Sequence, residues 1–175
     1  MTYLIKQQRL RRVALLCCHF SRNLAYRRAG HDRLTKGKYS QVFVTIDGNF
    51  LDMAVLEWCK LFGDKNGKHH WGKIVPNQIF KSQLLAQLKQ SNDQFEGYIK
   101  EMRDYRDKFL AHLDDELVMQ IPRLDLAMTA VEILYCHLVH QEALASDLNG
   151  LPTDLTAYYE QCSKEAVSFL DLCEL

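Results

Sequence analysis

The sequence predicts an all-α fold, an antiparallel bundle of five or six helices. Three observations carry this. Proline is scarce, at 3 of 175 residues, and glycine numbers only 8, so long stretches lack helix breakers. Apolar residues recur at three- and four-residue spacing in successive segments. Capping and breaking residues fall between those segments. The length suits one domain over 1–175, with a core over about 1–145, and is enough to bury a sizeable core.

The first helix is expected over Leu4 to about Ala29. Leu10, Val13, Ala14, Cys17, Phe20 and Leu24 give it one apolar face, and Gly30 fits its C-terminal end. Residues 31–40 are polar and basic and read as a loop. Over Tyr39 to Phe62 the signals compete. Val42 to Ile46 are strand-type residues and Asp47-Gly48 suits a hairpin, yet Phe50, Met53, Ala54, Glu57, Trp58 and Leu61 keep helical spacing. The segment is read as helix. Gly63 to Lys73 is the most loop-like stretch. Asn77 can cap a helix to about Lys89. Ser91-Asn92-Asp93-Gln94 has capping-box spacing, so another helix should start at Asn92 and run to about Ala111. Pro122 suits the first turn of the next, continuing to about Ala145. Thr153 should cap the last helix, over about 153–173.

Net charge is zero, but residues 1–40 hold ten basic side chains (Lys6, Arg9, Arg11, Arg12, Arg22, Arg27, Arg28, Arg33, Lys36, Lys38) against one acid, Asp32. Such a segment either tracks phosphates or is a solvated face that pairs with the acidic C-terminal helix. The 6 cysteines lack CxxC spacing and read as small buried hydrophobes in a reducing compartment. No signal peptide or membrane span is apparent, so a cytoplasmic location without membrane attachment is expected.

The run Tyr105-Arg106-Asp107-Lys108-Phe109-Leu110-Ala111-His112 is the candidate for chemistry. At about 100° per residue, Phe95, Ile99, Met102, Phe109 and Leu113 share a narrow stripe, and Arg106 stands in its middle. A guanidinium there is costly unless something pairs with it. On an unbroken helix Arg106 and His112 stand about 120° apart. They converge only if the helix loosens near Ala111 or a second copy brings its own pair alongside. A histidine moves protons near neutral pH, and an arginine offers a donor fork to a phosphorane. The plain structural alternative is a snorkelling arginine and a histidine at a helix C-terminus.

Arg106-x5-His112, with polar Asp107 after the arginine, resembles the signature of the HEPN superfamily. Tyr-Arg-Asp-Lys-Phe-Leu-Ala-His-Leu-Asp is similar to the wording of its abortive-infection branch. Leu51-Asp52, Leu56 to Phe62 and Trp71 resemble that branch's second helix and following loop. The resemblance implies a four-helix core with extra helices, a homodimer with two Arg/His pairs at a shared cleft, and a metal-independent endoribonuclease. It implies His112 as acid/base, Arg106 as phosphate holder and Asp107 as the residue orienting one of them. Many members keep this fold as non-cleaving nucleotide-, RNA- or protein-binding modules. A toxin–antitoxin or phage-defence setting, with an antitoxin partner, goes with the resemblance. No cofactor is expected.

RNA contacts are expected from Arg103, Tyr105 and Lys108 around the motif, and from Lys68, His69 and Lys73 in the loop after the second helix. Gly63 to His69 only superficially resembles a phosphate-binding loop: it is one residue short, has His69 where Ser or Thr belongs, and follows no strand. Trp71 either stacks on a base or anchors the loop on the core, the commoner fate of a tryptophan. His137 and His140, three apart beside Cys136, have workable metal spacing, but no acidic partner accompanies them and no metal site is assigned.

Overall fold

A computed structural model describes residues 3–34, 40–75, 78–111, 120–143 and 147–173, with side chains over 6–31, 40–75, 78–108, 120–143 and 147–172. The described residues form six α-helices and no strand: α1 (Tyr3–Leu34), α2 (Gln41–Trp58), α3 (Gln78–Leu88), α4 (Asn92–Tyr105), α5 (Asp125–His137) and α6 (Leu155–Cys173). The all-α bundle expected from the sequence is what forms. Three of the helices lie next to π-helical turns, at Cys59–Gly63, Arg106–Ala111 and Leu138–Glu142.

α1 is the central helix. Its predicted apolar face, Leu10 through Leu24, is fully buried, packed against α2 and α6. It runs past the expected end at Ala29, because Gly30 is a crossing point and not a cap. A Cβ there would lie 3.0 Å from Asp47 Oδ1 of α2, so glycine lets the two helices approach. Asp47 is held by Arg27, one turn earlier on α1.

α2 is helical through Asp47-Gly48, which resolves the competition with a hairpin. Val42, Val44 and Ile46 remain exposed, while Leu51, Ala54, Val55 and Trp58 enter the core. α3 stops where Lys89 takes a left-handed conformation (φ 53°); Asn77, its expected cap, lies outside the described residues. α4 starts with the predicted capping box. Ser91 Oγ accepts from the Gln94 amide at 3.2 Å, and the Gln94 side chain accepts from the Ser91 amide at 2.8 Å.

Two helix starts differ from expectation. α5 begins at Asp125, three residues after Pro122, because the Arg123 carbonyl accepts the Tyr98 hydroxyl at 2.6 Å and the chain there is irregular. α6 is capped by Asp154, not Thr153. Its carboxylate accepts the amides of Thr156 and Ala157 at 2.8 and 3.2 Å and adds charge that suits a helix N-terminus. α6 packs against α1, but among the described residues through tyrosines and not by pairing cation with acid: Arg28 donates to the Tyr159 hydroxyl and Tyr26 to Glu165. Cys17, Cys18, Cys59 and Cys162 are buried free thiols, and Cys136 is an exposed one.

Candidate functional site

Arg106 sits where two π turns meet. α4 ends at Tyr105, and the backbone widens into the turn Arg106–Ala111. Opposite lies the turn Cys59–Gly63, which ends at Asp64. Cys59 Sγ donates to the Met102 carbonyl at 3.6 Å, and a Cβ on Gly63 would lie 3.2 Å from Arg103 Cγ. The two segments are therefore in close contact. π turns insert an extra residue into a helix and recur at functional sites.

The guanidinium is matched by two carboxylates. Arg106 Nη1 donates to Asp64 Oδ1 at 2.7 Å, and Nε donates to Asp107 Oδ1 at 2.8 Å. The arginine side chain is 17% exposed. Its charged form is reinforced, first by the hydrogen bond to Asp107 and then by Asp64, against the opposing effect of burial. This resolves the arginine on an apolar stripe: Phe95, Ile99 and Met102 are buried as expected, and the charge is paired at their end.

The helix does loosen over 106–111, one of the two conditions for bringing Arg106 and His112 together. His112 itself lies outside the described residues, as does Leu113. Arg103 is exposed beside Arg106, and Lys108 is half-buried. Tyr105 stands apart from the expected RNA contacts. It is 2% exposed, and its hydroxyl donates to Asp52 at 2.8 Å. Burial, then that carboxylate, push its ionisation up. Arg27 lies close enough to feel both Tyr105 and Asp52.

The loop residues divide. Lys68 and Lys73 are exposed. His69 lines a groove of about 660 Å³ with Arg11, Arg12, Leu15, Leu16, His19 and Lys60, away from Arg106. Burial, then Arg12, Lys60, Arg9 and Lys68, lower its pKa. Lys65 is held by both oxygens of Glu96, at 2.9 and 3.1 Å. Trp71 is the loop's anchor: its ring lies 5.2 Å from Phe80 and it packs on the core.

Glu57 was missed as a site residue. It is 3% exposed, accepts from Asn23 Nδ2 at 2.9 Å and lies 3.4 Å from His19 Nδ1. Burial pushes its pKa up to about 7, against the Asn23 hydrogen bond and the charges of Lys60 and Arg22. His19 is shifted down by burial and by the same two cations. The signal was in plain view, an acid in the apolar row Ala54, Trp58, Leu61. Asp64 carried no comparable local signal.

Among the described residues, no group of three or more metal-ligating side chains comes together. His137 is buried against the Phe80 ring, while His140 is exposed. No described helix is long and apolar enough to cross a membrane. No protein-family model, curated protein or solved structure matches the chain.

Proposed function

We propose that this protein is a metal-independent endoribonuclease of HEPN type, acting as a homodimer in a toxin–antitoxin or phage-defence role. The observation that supports it is the partly buried Arg106 guanidinium, presented at a widened helical turn six residues before His112. A phosphate-binding arginine needs a fixed, partly dried guanidinium, and the placement of Arg106 suits that need.

In the proposed reaction the ribose 2′-oxygen forms a bond to its own phosphorus as the bond from phosphorus to the 5′-oxygen breaks. The 2′-OH loses its proton and the departing 5′-oxygen gains one. His112 moves these protons. Arg106 neutralises the charge that grows on the non-bridging oxygens, and Asp107 fixes the guanidinium through Nε. The products are a 2′,3′-cyclic phosphate and a free 5′-OH.

A second reading has its own observation. Nε and Nη1 of Arg106 are both taken by carboxylates, as suits a bundle that binds nucleotide, RNA or protein without cleaving. One experiment decides. Wild type, Arg106→Ala and His112→Ala are incubated with total RNA and tRNA in EDTA. Cleavage by wild type alone, leaving cyclic phosphate ends, is expected. No cleavage at any protein excess, or equal cleavage by the variants, refutes the nuclease.

A further inference from the structure

We infer that the groove between the first half of α1 and residues 60–69 is a binding seat for a single-stranded nucleic acid, held through its phosphates. The first ground is how the charges are distributed. Several cations elsewhere are matched, Lys6 to Glu142, Arg28 to Asp125, Lys65 to Glu96, Lys100 to Asp104 and Arg106 to Asp64, and those left without a carboxylate among the described residues, such as Lys73, Arg103 and Lys164, do not line this groove. Arg12, Lys60 and Lys68 have no carboxylate at pairing distance among the described residues, although the chain carries 22 acids. Arg12 and Lys60 line one groove together with His69, and Lys68, the chain neighbour of His69, adds to the positive charge felt there. Like charges gathered at one spot repel, and a bound polyanion relieves that cost.

The buried acid beneath does not neutralise the groove. Glu57 faces His19 and Asn23, and with its pKa near 7 it is only partly ionised at neutral pH. Arg11 is committed elsewhere: it donates to the carbonyls of Asp147 and Asn149 at 3.2 and 2.9 Å, tying the 147–150 turn to α1.

The lining favours a nucleic-acid strand over an acidic peptide. The Arg12 fork matches a phosphate with two parallel hydrogen bonds. His19 and His69 add ring donors. Leu15 and Leu16 supply an apolar floor between the cations, a seat for the flat face of a base or ribose. The volume lies within the range of roughly 300–1,000 Å³ that holds a small ligand, so a short stretch of strand occupies it. Loop 64–70 separates the groove from Arg106, with Asp64 at one end and His69 at the other. Binding here does not require Arg106 to cut.

The test is fluorescence anisotropy with a labelled 2′-O-methyl U12 strand, which lacks the attacking hydroxyl, so binding is read apart from cleavage. Wild type is compared with Arg12→Gln/Lys60→Gln and with Lys100→Gln as a surface control, folding being checked by circular dichroism. The double variant is expected to raise Kd about tenfold at low salt. Its salt dependence should flatten by roughly 1.4 in log–log slope, about 0.7 for each lost phosphate contact on a single strand. Lys100→Gln should bind as wild type does. No binding by wild type, or equal Kd for the double variant, overturns the assignment. So does stronger binding to polyglutamate or to phosphatidylglycerol vesicles that the strand fails to displace.

Discussion

Glu57→Gln should stabilise this protein in alkaline solution and leave it nearly unchanged in mild acid. The carboxyl moves from an ordinary 4.5 to about 7 on folding, because α1 and α2 bury it with one amide donor, Asn23, and a histidine at 3.4 Å. Folding therefore takes up a proton between those two values. Wild-type stability is highest below the unfolded pKa and falls as pH rises through 7. At about 1.36 kcal/mol per unit, the full loss is roughly 3 kcal/mol. Glutamine keeps the oxygen that accepts from Asn23 and cannot ionise. The groups facing Glu57 (His19, Arg22 and Asn23 from α1, Lys60 from its own segment) are common to both proteins, so their own titration cancels to first order. Thermal unfolding of both at pH 5.0, 6.0, 7.0 and 8.5 reads the effect. The melting temperatures should lie within about 2–3 °C of each other at pH 5 and separate by about 6–12 °C at pH 8.5, taking about 2–4 °C per kcal/mol for a chain of this size. A constant gap, or one that widens towards acid, refutes the burial argument.

Other outcomes follow from single contacts. Asp64→Asn leaves Arg106 with Asp107 alone, so titration with inorganic phosphate should show a few-fold tighter binding. Stability should change by no more than about 1 kcal/mol, as for a partly exposed pair. Asp154→Ala removes the cap of α6 and should cost about 1 kcal/mol in urea unfolding, whereas Thr153→Ala should cost almost nothing. Trp71→Ala should lose roughly 2–3 kcal/mol by emptying the contact with Phe80, while affinity for the U12 strand stays unchanged. Lost affinity at full stability would instead make Trp71 a base-stacking platform.

What could be read from the sequence was local. The capping box at Ser91 joins residues three apart, and the buried face of α1 is a periodicity within one helix. Gly30, Pro122 and Thr153 misled for the converse reason. At Gly30 and Pro122 a tertiary contact overrides a strong local signal: Asp47 against Gly30, and Tyr98 on the Arg123 carbonyl. At Thr153 the neighbour one residue on, Asp154, is simply the better-placed acceptor. The site divides the same way. Arg106 was visible as a charge out of pattern along one helix. Asp64 is 42 residues away, and no spacing rule links the two. Tyr105 is expected to contact RNA because it adjoins the motif in the chain, but its hydroxyl finds Asp52 on α2, 53 residues away.

The two carboxylates on Arg106 do not play the same part. Asp107 is its chain neighbour and holds Nε, so it moves with the arginine and fixes the plane of the guanidinium. Asp64 belongs to another segment. Its side chain is partly exposed, and it occupies Nη1, a direction from which a phosphate would approach. A partly exposed pair of this kind is worth about 1 kcal/mol, while a phosphate offers the two Nη groups a charge-assisted, two-point match. An incoming phosphodiester should displace Asp64 and keep Asp107. If Arg106 binds phosphate as proposed, Asp64 is the internal carboxylate that the phosphate replaces, and the engaged state of Arg106 is compatible with the proposed chemistry.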